Sequence, residues 1–276
     1  MQENYHPIGV FDSGYGGLTI LKSIMEKLPE YDFIYLGDNA RTPYGSRSYD
    51  IVYEYTRQAV MKLFSMGCQL VILACNTASA KALRTIQQND LPLFDPSLRV
   101  LGVIRPSVEK IQFFTKTGHV GVLGTAGTIL SDSYPLEIAK ISDGKIIVTQ
   151  EACPMWVPLV ENDEISNPAT DYFVCKNINN LFKNDPAIDT LILGCTHYPL
   201  LLPVIKKFIP ENVTVFEQGP IVAASLSDYL FRHPEISMKC SKEGSCRFLT
   251  TESVKNFESR ASIFLGSKLI AENIQL

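Results

Sequence analysis

Two cysteines of this chain follow closely similar apolar segments. Cys75 lies in VILACNTA, residues 71–78, and Cys195 lies in LILGCTHY, residues 191–198. Each is predicted at the junction of a strand and a helix, where backbone N–H groups and the helix dipole favour an anion and can lower the pKa of a thiol from about 8.5. One such cysteine alone is more typical of an inert core residue, but the repetition predicts a reactive pair.

Two thiols on opposite walls of one site are suited to the inversion of a carbon stereocentre. One group takes the proton from one face of the carbon while the other group delivers a proton to the opposite face. A coupled pair favours the state with one thiolate and one thiol, because two negative charges in one site are costly. A zinc site of Cys75, Cys195 and His197 is the alternative, but no close-spaced ligand pair such as CxxC supports it. We therefore predict acid/base chemistry without a metal.

Short runs rich in Val and Ile alternate with longer helical patterns. The runs are apolar throughout, which is typical of strands buried on both faces of a parallel sheet. The predicted strands are residues 8–11, 32–37, 69–73, 99–103, 119–124, 145–150, 189–194 and 213–217. The predicted helices are residues 17–28, 49–66, 77–89, 106–115, 168–183, 199–208 and 219–232. This alternation predicts an α/β fold with its active-site loops at the carboxyl ends of the strands.

The chain also contains an internal repeat. IGVFDSGYGGLTIL, residues 8–21, resembles VGVLGTAGTIL, residues 120–130; each is a strand that ends in a Gly-rich turn before a helix. Cys75 follows Ile8 by 67 residues, and Cys195 follows Val120 by 75. We infer two similar parallel-sheet α/β lobes, related by pseudo-two-fold symmetry, with the active site in the cleft between them. The two cysteines would then face one bound small molecule.

Composition narrows the function classes. The net charge is −4 and no run of Lys or Arg occurs, which argues against a nucleic-acid partner. No apolar stretch approaches the roughly 20 residues of a membrane span, and the N-terminus lacks the pattern of a secretory signal, so we predict a cytoplasmic protein without a membrane partner. Seven cysteines, an odd number, are more typical of free thiols than of a disulfide framework.

Five motifs then resemble one known family, glutamate racemase of the aspartate/glutamate racemase superfamily. They are DSGYGG (12–17), TPYGSRS (42–48), ACNTAS (74–79), ACPMWVPLVE (152–161) and GCTHYPLL (194–201). RFLTTESVKNFESRASIFLG, residues 247–266, is similar to the terminal strand and helix of that family. The resemblance implies interconversion of L- and D-glutamate by two cysteines without a cofactor, supplying D-glutamate for peptidoglycan.

The resemblance also implies site residues and a domain division. Cys75 and Cys195 would be the acid/base pair, with Asp12 near Cys75 and His197, together with Glu161, near Cys195. The predicted substrate-binding residues are Asp12, Ser13, Tyr44, Gly45, Asn76, Thr77, Thr125, Thr128, Thr196 and His197. Hydroxyls, amides and backbone N–H groups suit the carboxylates of a glutamate zwitterion. Residues 1–98 with 212–276 would form the first lobe and residues 99–211 the second. A homodimer is compatible with the family, with helix 49–66 as an interface or as a lobe-packing helix.

One segment departs from the family pattern. GVIRPS, residues 102–107, has Arg105 and Ser107 where family members usually carry an acidic and a small residue, which puts the family's interlobe or dimer contact in doubt.

Other functions stay open at this point. Within the superfamily they are an aspartate-specific racemase and a decarboxylase, which needs only one thiol. From another class, a two-lobed amino-acid-binding protein with inert thiols would share the fold. Phosphate binding by DSGYGG is disfavoured, because Thr19 replaces the third glycine of a nucleotide fingerprint. Met155 and Trp156 are expected in the core or the pocket wall.

Overall fold

The computed structural model describes residues 6–276, which form two fully parallel sheets flanked by helices. The strands are β1 (Ile8–Asp12), β2 (Phe33–Gly37), β3 (Leu70–Leu73), β4 (Arg99–Gly102), β5 (His119–Gly124), β6 (Ile147–Ala152), β7 (Thr190–Gly194), β8 (Thr214–Phe216), β9 (Cys246–Thr250) and β10 (Ala271–Asn273). Across the described residues, no helix combines the length and the apolar character that a membrane crossing requires.

The helices lie between these strands. They are α1 (Leu18–Lys27), α2 (Tyr49–Ser65), α3 (Asn76–Lys81), α4 (Leu83–Thr85), α5 (Leu91–Phe94), α6 (Ile104–Ile111), α7 (Ala126–Leu130), α8 (Ser133–Ser142), α9 (Trp156–Glu161), α10 (Pro168–Asn184), α11 (Leu202–Ile205), α12 (Gln218–Arg232), α13 (Pro234–Ser237) and α14 (Val254–Leu265). A π-helical turn spans Ile86–Asp90, and a 3-10 turn spans Tyr198–Leu201.

The predicted fold class, two parallel-sheet α/β lobes, is confirmed. The six-stranded sheet has the order β10-β9-β2-β1-β3-β4, and the four-stranded sheet has the order β6-β5-β7-β8. The order β2-β1-β3-β4 of the first sheet is therefore repeated as β6-β5-β7-β8 in the second. Cys75 follows β3 and Cys195 follows β7, so the two cysteines end equivalent strands of the two sheets.

The sheets change over one strand later than the predicted lobe borders. β4, which begins at Arg99, pairs with β3 in the six-stranded sheet, and β8, which begins at Thr214, pairs with β7 in the four-stranded sheet. The local pattern identifies a strand but not the sheet edge that it joins, and the division into lobes after residues 98 and 211 stays a prediction. The chain crosses between the sheets through α6 and α12, and these two helices contact each other.

Most long elements match their predictions, and the short helices do not. α10 begins after Asn167, whose side chain accepts a hydrogen bond from the N–H of Ala169, and Pro168 occupies its first turn. The helix predicted over residues 77–89 is instead a series of short helices and a π turn that ends at Phe94. The helices α7, α9 and α13 were not predicted, because their four to six residues are too few to show a clear 3.6-residue apolar period. The ten-residue α8 was also not predicted.

Helix α2 packs within its own lobe. Its buried residues, among them Val52, Ala59, Val60 and Leu63, form one stripe, and the helix contacts β1, β2 and β3. That stripe is therefore used for lobe packing. Tyr49 and Ile51, at the start of the helix, remain exposed. A homodimer stays a prediction.

Candidate active site

Cys75 lies in the buried loop between β3 and α3. Its sulfur accepts a hydrogen bond from the N–H of Ala78 at 3.5 Å and so caps α3. The hydroxyl of Ser13, which follows β1, lies 3.4 Å from the same sulfur. The adjacent strands β1 and β3 thus bring Ser13 and Cys75 together at their carboxyl ends.

The predicted lowering of the thiol pKa at a helix start is wrong for Cys75. Burial raises the pKa of Cys75 to about 12, and the nearby Asp12 charge raises it further, whereas Ser13 and the Ala78 N–H lower it. Loss of hydration opposes the thiolate more strongly than the helix terminus favours it. Cys75 is therefore a protonated thiol at neutral pH.

Cys195 follows β7 and has an imidazole beside it. Its sulfur lies 3.8 Å from Nδ1 of His197, and Nε2 of His197 lies 2.9 Å from Oε1 of Glu161, the last residue of α9. Burial disfavours the imidazolium, but hydrogen bonds and charge from Cys195 and Glu161 outweigh it and raise the pKa of His197 to about 10. His197 is therefore a cation at neutral pH, and it favours negative charge on the sulfur beside it.

Both cysteines line one cavity of about 110 Å³. Eight of the predicted substrate-binding residues lie in its wall: Ser13, Tyr44, Gly45, Asn76, Thr77, Thr125, Thr196 and His197. The wall combines segments from both lobes, as the internal repeat predicts. The volume fits a small molecule and not a macromolecule.

The two lobes touch directly around this cavity. The hydroxyls of Thr77 and Thr125 are 2.9 Å apart, and the N–H of Gly127 donates to the carbonyl of Gly45 at 2.7 Å. On the other side, the Thr19 hydroxyl donates to the Thr196 carbonyl at 3.1 Å. The Thr77–Thr125 and Thr19–Thr196 contacts join the segments after β5 and β1 to the cysteine loops of the opposite sheets, and the Gly45–Gly127 bond joins the loop after β2 to α7. The positions of the two sulfurs are therefore set by both lobes.

Asp12 and Thr128 lie behind the wall and do not line the cavity. Asp12 is fully buried at the end of β1, and its Oδ2 accepts from the Gly14 N–H at 2.9 Å. Among the described residues, its Oδ1 has no hydrogen-bond partner, and burial raises the pKa of this carboxyl. Thr128 supports the wall through hydroxyl contacts to Thr77 at 3.3 Å and Thr125 at 3.1 Å.

Comparison with known proteins identifies the family of the chain. The family model described as Asp/Glu/Hydantoin racemase matches residues 14–226. The chain belongs to this racemase family. It is 39% identical to a glutamate racemase of Roseobacter denitrificans, over 95% of this chain and 97% of that protein, and 37% identical to a glutamate racemase of Streptococcus agalactiae, over 98% of each. The resemblance carried by the five motifs is confirmed, and the chain is an amino-acid racemase, an isomerase.

Solved structures in the racemase family share the whole fold. A glutamate racemase isoform of Bacillus anthracis is 37% identical with a TM-score of 0.90, and the match covers 99% of both chains. The glutamate racemase of Francisella tularensis, solved in complex with D-glutamate, is 31% identical with a TM-score of 0.86, covering 99% of this chain and 98% of that one. The two-lobed arrangement is thus that of the racemase family along its full length.

Part of the racemase cavity wall was not predicted. The additional lining residues are Thr42, Pro43, Ser46, Ala126, Cys153, Pro154, Val157 and Pro158. Seven of them lie within the motifs TPYGSRS and ACPMWVPLVE, so these two motifs were the available signal. Neither Trp156 nor Met155 lines the cavity: Trp156 is fully buried and donates its Nε1–H to Asn177, and Met155 is partly exposed.

The loop that carries Tyr44 and Gly45 is held from behind by a carboxylate. The Tyr44 hydroxyl donates to Asp38, which also accepts from Nε of Arg41 at 2.6 Å and from the Thr251 hydroxyl at 2.9 Å. Burial and the adjacent Asp38 charge raise the pKa of Tyr44, which is a neutral phenol. The tyrosine is therefore a fixed and uncharged part of the cavity wall.

The seven cysteines are all free thiols. Within residues 6–276, no three His, Cys, Asp or Glu side chains are grouped so that they could hold a metal ion.

Proposed function

We propose that this racemase interconverts L- and D-glutamate by proton transfer at the α-carbon, with Cys75 and Cys195 as the two acid/base groups. One observation carries the proposal: equivalent strands β3 and β7 of two topologically matched sheets deliver the two sulfurs to the wall of one cavity. The sequence identity to glutamate racemases, and D-glutamate in the Francisella tularensis structure, support glutamate as the substrate.

The surroundings of the two sulfurs divide the acid and base roles of the free enzyme. Cys75, with its pKa raised to about 12, begins as the thiol that donates a proton. Cys195, 3.8 Å from the His197 cation, has the surroundings of a base. After one turnover the protons have exchanged, and the product enantiomer is the substrate of the reverse reaction. The Ser13 hydroxyl and the Ala78 N–H can then stabilise the thiolate at Cys75.

The carbanion-like transition state needs electrostatic support, because the α-proton of an amino acid is a very weak acid. Hydroxyls of Ser13, Thr77, Thr125 and Thr196 and the amide of Asn76 supply hydrogen bonds around the cavity. Thr125 is half-buried and the other four are buried, so they act where an electrostatic interaction is stronger than in water. We infer that they bind the carboxylates and restrain the substrate between the sulfurs.

In the cell, we propose that the product D-glutamate is used in peptidoglycan synthesis in the cytoplasm. This role rests on the family resemblance, which also implies that the racemisation itself requires no cofactor.

The test is glutamate racemisation with chelator present and without pyridoxal phosphate or added metal. We expect activity in the wild type and its loss, by a factor of about 10³ or more, in both Cys75→Ala and Cys195→Ala. Cys175→Ala, which changes a partly exposed cysteine on α10, is the matched control and should behave as the wild type. Racemisation that survives either site substitution would disprove the two-thiol mechanism.

Isotope exchange and substrate choice complete the test. In heavy water, deuterium should appear early in the product enantiomer and not in recovered substrate. Comparable early labelling of both indicates a single base. Parallel assays with aspartate decide between the two acidic substrates.

A further inference from the structure

A closed ring of hydrogen bonds fixes the side chain of Asn76. Tyr134 on α8 donates its hydroxyl hydrogen to Oδ1 of Asn76 at 2.7 Å, and Nδ2 of Asn76 donates to Oε1 of Gln218 at 2.7 Å. Nε2 of Gln218 closes the ring by donating to the Tyr134 hydroxyl at 2.8 Å. All three side chains are buried, with exposed fractions of 0–3%.

The direction of this ring is set from outside it. The second hydrogen of Gln218 Nε2 is shared between the Ser107 hydroxyl at 2.8 Å and the Val103 carbonyl at 3.4 Å. The Ser107 hydroxyl in turn donates to the same carbonyl at 2.9 Å. Because a carbonyl can only accept, the amide nitrogen of Gln218 must face Val103, and its oxygen must therefore face Asn76. Asn76 is left with one orientation of its carboxamide.

The ring joins the two chain crossovers to the cavity. Val103 and Ser107 belong to the crossover from β4 into α6, and Gln218 is the first residue of α12, on the return crossover. Asn76 comes directly after Cys75 and lies in the cavity wall. Its ring contacts use one hydrogen of Nδ2 and one lone pair of Oδ1, so each atom keeps one hydrogen-bonding position for a ligand.

We propose that Gln218 is a positioning residue, which acts with Tyr134 to hold the Asn76 carboxamide in the orientation that binds the substrate. This inference rests on the proposed glutamate racemisation. Gln218 does not touch the substrate, and it acts through Asn76. Without the Gln218 side chain, the Asn76 carboxamide loses a buried hydrogen-bond partner and can rotate. The binding of the substrate and the binding of the transition state are then weakened to the same extent.

The expected signature is a change in KM. Gln218→Leu should raise KM for both enantiomers about ten-fold, with kcat within about three-fold of the wild type, because loss of uniform binding affects KM alone. Tyr134→Phe, which removes only the hydroxyl, should change KM in the same direction. A merely structural loss lowers the amount of folded enzyme and hence the apparent kcat, without changing KM. Ser142→Ala removes a buried hydroxyl of α8 that donates to the Ile138 carbonyl and has no part in the ring; it is the matched control, with KM within about two-fold of the wild type.

A double-mutant cycle decides whether the effect passes through Asn76. In the Asn76→Ala background, Gln218→Leu should change KM no further, since the side chain that it orients is gone. Additive effects of the two substitutions overturn the inference, as does a Gln218→Leu enzyme with wild-type KM. If the wild-type protein does not racemise glutamate, both the proposed function and the inference are overturned. If the wild type is active and Gln218→Leu leaves KM unchanged, only the inference is overturned. Thermal denaturation of each variant checks that it folds.

Discussion

Replacing Glu161 by glutamine should change the charge of His197 and leave the shape of the site intact. In the wild type, Nε2 of His197 lies 2.9 Å from Oε1 of Glu161. The carboxamide of Glu161→Gln keeps an oxygen that can accept a hydrogen bond from this nitrogen, but the substitution removes the negative charge. Both side chains are largely buried, with 6% of His197 and 16% of Glu161 exposed, so solvent screens the pair little. The substitution therefore isolates the electrostatic part of the contact.

The magnitude follows from the pKa of His197. Its rise from 6.5 to about 10 corresponds to about 5 kcal/mol in favour of the imidazolium. Cys195 and Glu161 both contribute to that rise against the opposing effect of burial. An opposite charge at hydrogen-bond distance shifts a pKa by about 1–3 units, so the variant should titrate between roughly pH 7 and 9. At pH 8 a substantial fraction of His197 is then neutral, and negative charge on Cys195 loses its neighbouring cation.

The assay is an NMR titration of the His197 ring in both proteins, with kcat/KM for glutamate measured over the same pH range. We expect the midpoint of His197, and with it the alkaline limb of kcat/KM, to move to lower pH in Glu161→Gln. Glu164→Gln is the control, because Glu164 accepts a hydrogen bond from Asn167 instead.

The pH dependence of the free energy of unfolding supplies a second measurement of the His197 pKa. Because the folded pKa of His197 lies above its unfolded value, its contribution to the free energy of unfolding is complete below about pH 6.5 and is lost as the pH rises through about 10. Glu161→Gln should therefore reduce that loss and shift it to lower pH. A His197 midpoint near 6.5 in the wild type, or the same midpoint in both proteins, would refute the reasoning.

Two further predictions concern the amino end of β7 and the contact between the lobes. In Asp189→Asn, the midpoint pH of acid unfolding should change. The Asp189 carboxylate accepts hydrogen bonds from the Thr115 hydroxyl and from the N–H groups of Lys116 and Thr117. These bonds outweigh the effect of burial and lower the pKa of Asp189 to about 2. The wild-type carboxylate contributes about 2 kcal/mol to the free energy of unfolding above pH 4, and this contribution is lost as the pH falls through about 2. Equal midpoints of acid unfolding for wild type and variant, measured by circular dichroism, would contradict this prediction. In Gly16→Ala, the added Cβ would clash with Oγ1 of Thr196 and with Nδ1 of His197, so these side chains or the turn after β1 must shift. We expect kcat/KM to fall about ten-fold or more, and steady-state kinetics that match the wild type would show that the site yields without cost.

The sequence by itself was sufficient for the features that local signals encode. Continuous apolar runs identified the buried strands, and a long amphipathic pattern identified α10. The repeated strand-to-cysteine segments placed Cys75 and Cys195 at equivalent strand ends, because the carboxyl ends of parallel strands recur at one edge of a sheet. The motifs and their order were sufficient to recognise the family and to identify most of the residues that line the cavity.

Only the tertiary structure decided what depends on residues far apart in the chain. β4 and β8 look like any other buried strand, and their sheets are known only from their pairing. The pKa of Cys75 rises because distant segments exclude water from its sulfur, an effect that no local helix signal predicts. Gln218 reaches Asn76 across 142 positions of sequence. Burial and hydrogen-bond geometry are properties of the assembled lobes, whereas periodicity and residue type belong to the chain.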